Sequence, residues 1–571
     1  MTRPKTFVRL LVATFCAAAL LAAPAFAGDA VLKVIPKESI AFAVVNGLDN
    51  ADQVCTELSK ATQVPLPTPS LMFKKATGLD MALDKKGDMA VVFYQGTETD
   101  SPSPPMFVLL PVTDFEKLLA QFEPEEVTKT IKEITIGNNN VLIASKGKYA
   151  VVAQAHQQEE LEAFLAAKSD ISAEMKAWSD WTKDKVVYGV LTNYGLHDFL
   201  KEGIESLEGT FESFEQFQSS SPQLDQIKKT LKLYVTLLKA IRDNTDQMGI
   251  GFSKVGEGAI QIAARCDMKP GSDLAKTMGN TKALSTNPMA VLPNDSFVLA
   301  AGGPVPQKLV SALITFAQEM GSTPLGFNAE QNKKMIQASV DSMKDVVAQS
   351  FMMGVPSSKE AAMIDSVTAA IWVKNADSYF TNYKKQVEMT NKLLNDPESK
   401  MPMKMDVKEK TIDGYKTLVV TADLSGMTNM PELAPAKDFL EKFYGEGMKF
   451  VTYIAKVNDT VVVTAVGSEE NLKKVIEVVK SKSGSLAEDA GVKKVTAMLP
   501  KDAQWFFYWS PNGTVEFVNW ILEQLPEEMK INIPFEKLPP CPPCTPIGIA
   551  TKVNGNTIEE TCILPPDTIR G

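Results

Sequence analysis

The chain predicts an α+β fold, a tandem duplication of a module in which antiparallel or mixed sheets are covered by helices. Three observations predict it. Hairpin patterns alternate with single amphipathic stretches, without the regular strand–helix–strand alternation of a doubly wound parallel sheet. Val34-Ile-Pro-Lys-Glu-Ser-Ile-Ala-Phe-Ala-Val-Val45 returns near the midpoint as Val291-Leu-Pro-Asn-Asp-Ser-Phe-Val-Leu-Ala-Ala301, with a shorter echo at Met498-Leu-Pro-Lys-Asp-Ala-Gln-Trp-Phe-Phe-Tyr508. Later anchors recur in matching order, which is the signature of internal repetition. The predicted organisation is a leader at 1–27, a first module at 28–285 and a second at 286–571.

Each opening reads as a tight turn feeding a strand: proline fixes its own φ, the acid and Ser bond nearby backbone amides, and the apolar run favours extension. The same residues allow a second reading, Glu38, Asp295 and Asp502 as repeated carboxylate sites, which turn chemistry outweighs. The first module then shows a helical stretch with Ala51, Val54, Cys55 and Leu58 in register, a helix over Leu71–Leu79 stopped near Gly78, and strands Met89–Tyr94 and Met106–Leu110. Thr113-Asp-Phe-Glu116 has the form of a capping box. A meander follows at Lys132–Ile136, Val141–Ala144 and Tyr149–Ala153, turned at Gly137–Asn140 and Lys146–Lys148. Strand Val186–Leu191 leads to a long helix whose stripe, Leu224, Ile227, Leu231, Val235, Leu238 and Ile241, reads as core packing. In the second module, Pro306–Met320 and Ala329–Val347 read as helices. Lys408–Ile412 answers Lys132–Ile136, Val462–Leu472 answers Val151–Leu161, and Ile547–Ile549 answers Ile250–Phe252, with an insertion around Leu424–Tyr444. Helices are expected on one face of each sheet.

Residues 1–27 have the form of a secretory signal: Arg3, Lys5 and Arg9 precede an apolar run, and Ala25-Phe-Ala27 is a cleavage signal. Loss of its three positive charges takes the formal charge from −10 to −13. So acidic a surface argues against nucleic acid or an anionic membrane as partner, since both need clustered cations. No later stretch is apolar for long enough to span a bilayer. An exported protein of the periplasm or extracellular space is expected, with an envelope protein or peptide as a compatible partner.

Two histidines, His156 and His197, leave little room for zinc sites or a Ser-His-Asp arrangement. Both read as polar residues near helix starts. Nucleotide-binding glycine motifs are absent, as is a Gly-x-Ser-x-Gly elbow. Cys541-Pro-Pro-Cys544 is the sharpest local motif; its prolines forbid an immediate helix, so a structural cross-link outweighs a redox pair. The pairing stays open between Cys541 with Cys544 and either of them with Cys562, and the five cysteines beyond the leader are an odd number. Met401-Pro-Met-Lys-Met405 is compatible with copper(I), but is better read as chance enrichment in a Met-rich chain. Trp505-Phe-Phe-Tyr-Trp509 reads as a strand buried on both faces, with a sugar-binding platform as the alternative. No catalytic, cofactor-binding or metal-binding residue is expected, and no cofactor.

The leader, the Leu-Pro-x-Asp-Ser openings, Leu292–Gly303 and Lys269-Pro-Gly-Ser-Asp-Leu-Ala-Lys276 together resemble large uncharacterised exported proteins of environmental bacteria. The resemblance implies fold kinship and export, and no activity. A non-enzymatic binding or structural protein is expected, the alternative being a hydrolase or thiol-redox enzyme whose site is assembled from distant residues.

Overall fold

The computed structural model describes residues 30–570 apart from 79–81, 96–103, 138, 217–221, 309, 311–328, 359–360, 395–402, 427–436 and 526–536. The predicted leader lies outside the described residues. The chain divides into two compact units, Met1–Ala275 with Asn554–Arg570, and Lys276–Val553. The predicted boundary at 285/286 thus falls just inside the second unit, and the C-terminal tail belongs with the first.

The first unit contains β1 (Ser39–Val45), α1 (Leu48–Thr62), α2 (Pro69–Thr77), β2 (Met89–Tyr94), β3 (Met106–Pro111), α3 (Phe115–Leu119) and β4 (Glu125–Glu126). After these come β5 (Ile131–Ile136), β6 (Asn139–Lys146), β7 (Tyr149–Gln154), α4 (Gln158–Ala166), β8 (Val187–Leu191), α5 (Leu200–Gln216), α6 (Pro222–Asn244), β9 (Thr245–Val255) and β10 (Ala259–Met268). The tail supplies Thr557–Leu564, which is β20 in chain order. The sheet runs β4-β5-β6-β7-β3-β2-β1-β8-β9-β10-β20, every pair antiparallel.

Helices cover both faces of this sheet, not one. Phe42, Val44, Val92, Phe107 and Leu109 pack with Leu161 and Phe164 of α4. The alternate residues Val45, Val91, Val108 and Leu110 pack with Ala51, Val54 and Leu58 of α1. The unbroken apolar runs of β2 and β3 require this, because successive side chains point to opposite faces. The cap of α3 is Asp114, whose side chain accepts from Lys117 N at 3.1 Å; Thr113 instead donates its hydroxyl to Ala82 O. Helix α6 pairs with α5, but its stripe is only partly core. Val235 is buried while Ile241 is exposed, as are Tyr234 and Leu237. The side chains of Leu224 and Ile227 lie outside the described residues.

The second unit contains β11 (Phe297–Pro304), α7 (Ala329–Met343), β12 (Val346–Gly354), β13 (Val367–Val373), α8 (Ala376–Leu394), β14 (Lys404–Ile412) and β15 (Tyr415–Asp423). It continues with α9 (Lys437–Tyr444), β16 (Lys449–Lys456), β17 (Val461–Val466), α10 (Glu469–Ser481), α11 (Ala490–Thr496), β18 (Trp505–Trp509), α12 (Pro511–Gln524) and β19 (Ile547–Asn554). Its sheet order is β14-β15-β16-β17-β13-β12-β11-β18-β19, again wholly antiparallel. Tyr379, Phe380 and Val387 of α8 cover one face and Leu472, Val475 and Ile476 of α10 the other. The predicted helix Ala329–Val347 ends at Met343. Strand β12 begins three residues on, and its alternating burial at Val346, Ala348, Ser350 and Met352 is a period-2 signal that a helical reading overrides. Asp413 and Gly414, at φ 52° and 82°, make the tight turn between β14 and β15.

The same local devices recur in each unit. The β1–β2 register breaks at Ile40 and the β11–β12 register at Val298. Thr192 N donates to Ile40 O at 3.1 Å, and Ser510 N to Val298 O at 2.9 Å. Thr192 Oγ1 accepts from Gly195 N, and Ser510 Oγ from Gly513 N, each at 3.0 Å. Isolated bridges Pro36–Asp170 and Pro293–Ser485 pin the two opening turns.

Candidate functional site

Of the turn carboxylates, Glu38 accepts from Ser169 Oγ at 3.0 Å, Asp502 pairs with Lys552 at 2.8 Å, and Asp295 pairs with Lys474. They do not share a site. Asp295 borders a polar cavity of about 590 Å³ in the second unit. Five elements build it. Asp295 and Ser296 enter β11, Met352 and Gly354 leave β12, Asp365 and Thr368 enter β13, the first turns of α10 supply Ser468, Glu470, Asn471 and Lys474, and α12 supplies Glu516.

Its polar groups are held by hydrogen bonds within and between these elements. Ser296 Oγ donates to Glu516 Oε2 at 2.7 Å. Ser468 caps α10 by accepting from Asn471 N at 3.2 Å, and Asn471 Nδ2 donates to Asp365 O at 2.7 Å. The Asp365 carboxylate accepts from Ala362 N at 3.2 Å, and burial raises its pKa above the usual carboxylate range. Gly467 makes room for it: a Cβ there would lie 2.3 Å from Asp365 Oδ1. Thr368 is only 6% exposed, and its Oγ1 has no hydrogen-bond partner among the described residues. A buried hydroxyl left unpaired costs roughly 1–3 kcal/mol, so it marks a place where a ligand group or water is expected.

The corresponding ladder positions in the first unit are filled. Tyr94 stands opposite Ser39 just before the β1 break, as Gly354 stands opposite Phe297 before the β11 break. Phe107 pairs with Val92 one step inward, as Thr368 pairs with Met352. Tyr94, Phe107 and Phe164 form a ring cluster with centroids 4.7–6.0 Å apart. Where the first unit puts two rings on the sheet, the second has a glycine and a threonine, and the cleft lies there.

A second cavity of about 490 Å³ shares Val355, Pro356 and Glu516 with the first and reaches Cys541. The sulfurs of Cys541 and Cys544 are 4.0 Å apart, and Cys544 Sγ is 3.1 Å from the side-chain amide of Asn512. Asn519 holds the loop before them, donating to Leu538 O at 3.1 Å and accepting from Leu538 N at 2.7 Å. Cys562 lies in β20, opposite Ile262.

Among the other candidates, Met401 lies outside the described residues. Met403 packs beside Leu393 and Leu394, and Met405 against the α8 core, so these two serve packing. Strand β18 is only partly buried: Tyr508 is enclosed, its hydroxyl 2.7 Å from Thr496 Oγ1, while Trp505, Phe506 and Phe507 line an apolar cleft of about 480 Å³. His156 lies in the exposed turn before α4. His197 follows β8 with Nδ1 3.4 Å from Lys269 Nζ, and burial together with that cation lowers its pKa. Among the described residues, no group of three or more His, Cys, Asp or Glu is placed to hold a metal ion, and no helix is long and apolar enough to cross a membrane.

Glu516, Asp365, Thr368 and Gly354 escaped sequence reasoning, because none belongs to a motif. The detectable signal is comparative: Tyr94 and Phe107 have no aromatic counterpart in the second half. Comparison of the chain with protein-family models, curated proteins and solved structures found no match.

Proposed function

We propose that the chain is an exported, non-enzymatic binding protein of the periplasm or cell envelope, made by tandem duplication, in which the second module keeps a ligand cleft that the first has filled with aromatic rings. The observation that carries it is the cavity around Thr368, at the ladder position of Phe107. Duplication is supported by strand order: adding ten to each strand of β4-β5-β6-β7-β3-β2-β1-β8-β9 gives the order of the second sheet. The paired register breaks and Thr/Ser-x-x-Gly turns support it further. On this alignment β5 answers β15, so the match of Lys408–Ile412 with Lys132–Ile136 is displaced by one strand, and the insertion at Leu424–Tyr444 falls between β15 and β16.

The cleft offers hydroxyls, carboxyls and one paired ammonium; its one hydroxyl–carboxylate contact, Ser296 to Glu516, has no histidine beside it among the lining residues, and we read the arrangement as holding a molecule rather than turning it over. Native mass spectrometry of residues 28–571 from the exporting cell tests this. A retained small molecule that is lost in Thr368→Phe supports binding. A bound mass that the substitution leaves unchanged, no bound mass in either protein, or turnover abolished by the substitution, sinks the reading. N-terminal sequencing of the fractionated protein tests export, with Gly28 as the expected first residue.

The contact between Cys541 and Cys544 favours a second reading for that loop, a cross-link formed after export. Thiol titration before and after reduction tests it: two extra thiols on reduction are expected, and an unchanged count refutes it.

A further inference from the structure

We infer that the polar cleft of the second unit takes a small organic ammonium compound, its charged nitrogen set between Glu516 and the Thr368 hydroxyl and its hydrocarbon part against Met352, Val355 and Pro356. This rests on the binding reading above and names the ligand class for the same site.

Charge, shape and the unpaired hydroxyl narrow the class. Among the described residues, four carboxyl groups line the cavity, Asp295, Asp365, Glu470 and Glu516, against a single cation, Lys474, which is already engaged by Asp295. An anionic ligand would enter against that field with no further cation among the described lining residues to meet it. A bare metal ion would need several converging donors, and the carboxylates are dispersed around the cavity instead. Saccharide sites usually stack the sugar on an aromatic side chain, and none of the lining residues is aromatic. An alkylammonium group meets the remaining requirements. It carries up to three donors and no acceptor, and so suits carboxylate and hydroxyl oxygens, while its chain is served by the apolar residues at the exit of β12.

Thr368 is the second, independent sign. Its Oγ1 is buried and without a partner among the described residues, and Thr368 is one of the residues that line the cavity. An ammonium N–H donated to that oxygen would satisfy it, and the Phe107 ring at the same ladder position of the first unit shows how much space the fold leaves there.

The test is isothermal calorimetry and thermal shift on residues 28–571, with butylammonium and spermidine as probes and maltose and succinate as neutral and anionic comparators. The expected result is saturable binding of an ammonium probe, weakened about tenfold or more by Glu516→Gln, since hydrogen bonds to charged groups are the stronger kind. Thr368→Val, which keeps the shape and removes the hydroxyl, should weaken it several-fold, and Thr368→Phe should abolish it. If Thr368→Phe fails to fold, the Val and Gln substitutions decide. Ammonium binding that is the same in all variants is surface association and overturns the proposal. Binding of maltose or succinate that Thr368→Val or Thr368→Phe impairs, with none of the ammonium probes, overturns the ligand class and leaves the binding reading standing. No binding by any probe, with no small molecule retained from the cell, overturns both.

Discussion

A Cβ at Gly195 would sit 2.1 Å from the Ile40 carbonyl oxygen, and one at Gly513 would sit 1.8 Å from that of Phe297. Backbone cannot yield as a flexible side chain can, so Gly195→Ala and Gly513→Ala should each lower stability by about 1–3 kcal/mol or more. Gly203, in α5, has nothing within 4 Å of its built Cβ, and Gly203→Ala should stabilise by about 0.5–1 kcal/mol through helix propensity. Denaturant titration of the three variants checks both signs; equal effects would refute the steric account. Asp365 gives a pH-dependent case. Its pKa is raised in the folded state by burial, so the folded form binds its proton more tightly than the unfolded chain does. Wild-type stability is therefore lost as pH rises from the ordinary Asp range through the raised value. Asp365→Asn should melt higher than wild type at neutral pH, and the difference should vanish at pH about 3, below both values.

At the scale of elements, the ring cluster of the first unit is the counterpart of an opening in the second. Phe107→Ala should cost about 3–5 kcal/mol and leave a cavity, because Phe107 is wholly buried between Tyr94 and Phe164. A loss below 1 kcal/mol, measured by denaturant unfolding, would mean that the rings do not support the sheet. The strands around this cluster were legible in the sequence: Met89–Tyr94 and Met106–Pro111 are apolar runs bounded by turn or loop residues, and their extents agree with the reading to a residue. Strand β12 was not, because Ala329–Val347 is equally apolar at helical spacing and only the tertiary pairing of Ala348 and Ser350 settles the period. The candidate site was illegible for a different reason. Gly354 and Thr368 are ordinary residues locally, and their meaning lies in what the other sheet places at the same rung. Finding that rung requires the register, whereas matching by composition alone slips β14 onto β5.

At the scale of the molecule, the first sheet is closed by residues from the far end of the chain. Strand β20 pairs with β10 from Ile260–Leu564 to Asp267–Thr557. Deleting 554–571 should uncover the β10 edge, lower the thermal midpoint of the first unit, and speed amide exchange in β9 and β10 while β14–β17 keep their protection. Unchanged exchange in β10 would show that the pairing contributes nothing. This closure also orders events in time. A chain made from its N-terminus has strands β1–β10 long before it has β20, so the first unit waits with an open flank while the second is synthesised. Completion of the first unit depends on residues made after the whole of the second, and a chain cut short anywhere in the second unit would betray itself by an unsealed sheet in the first.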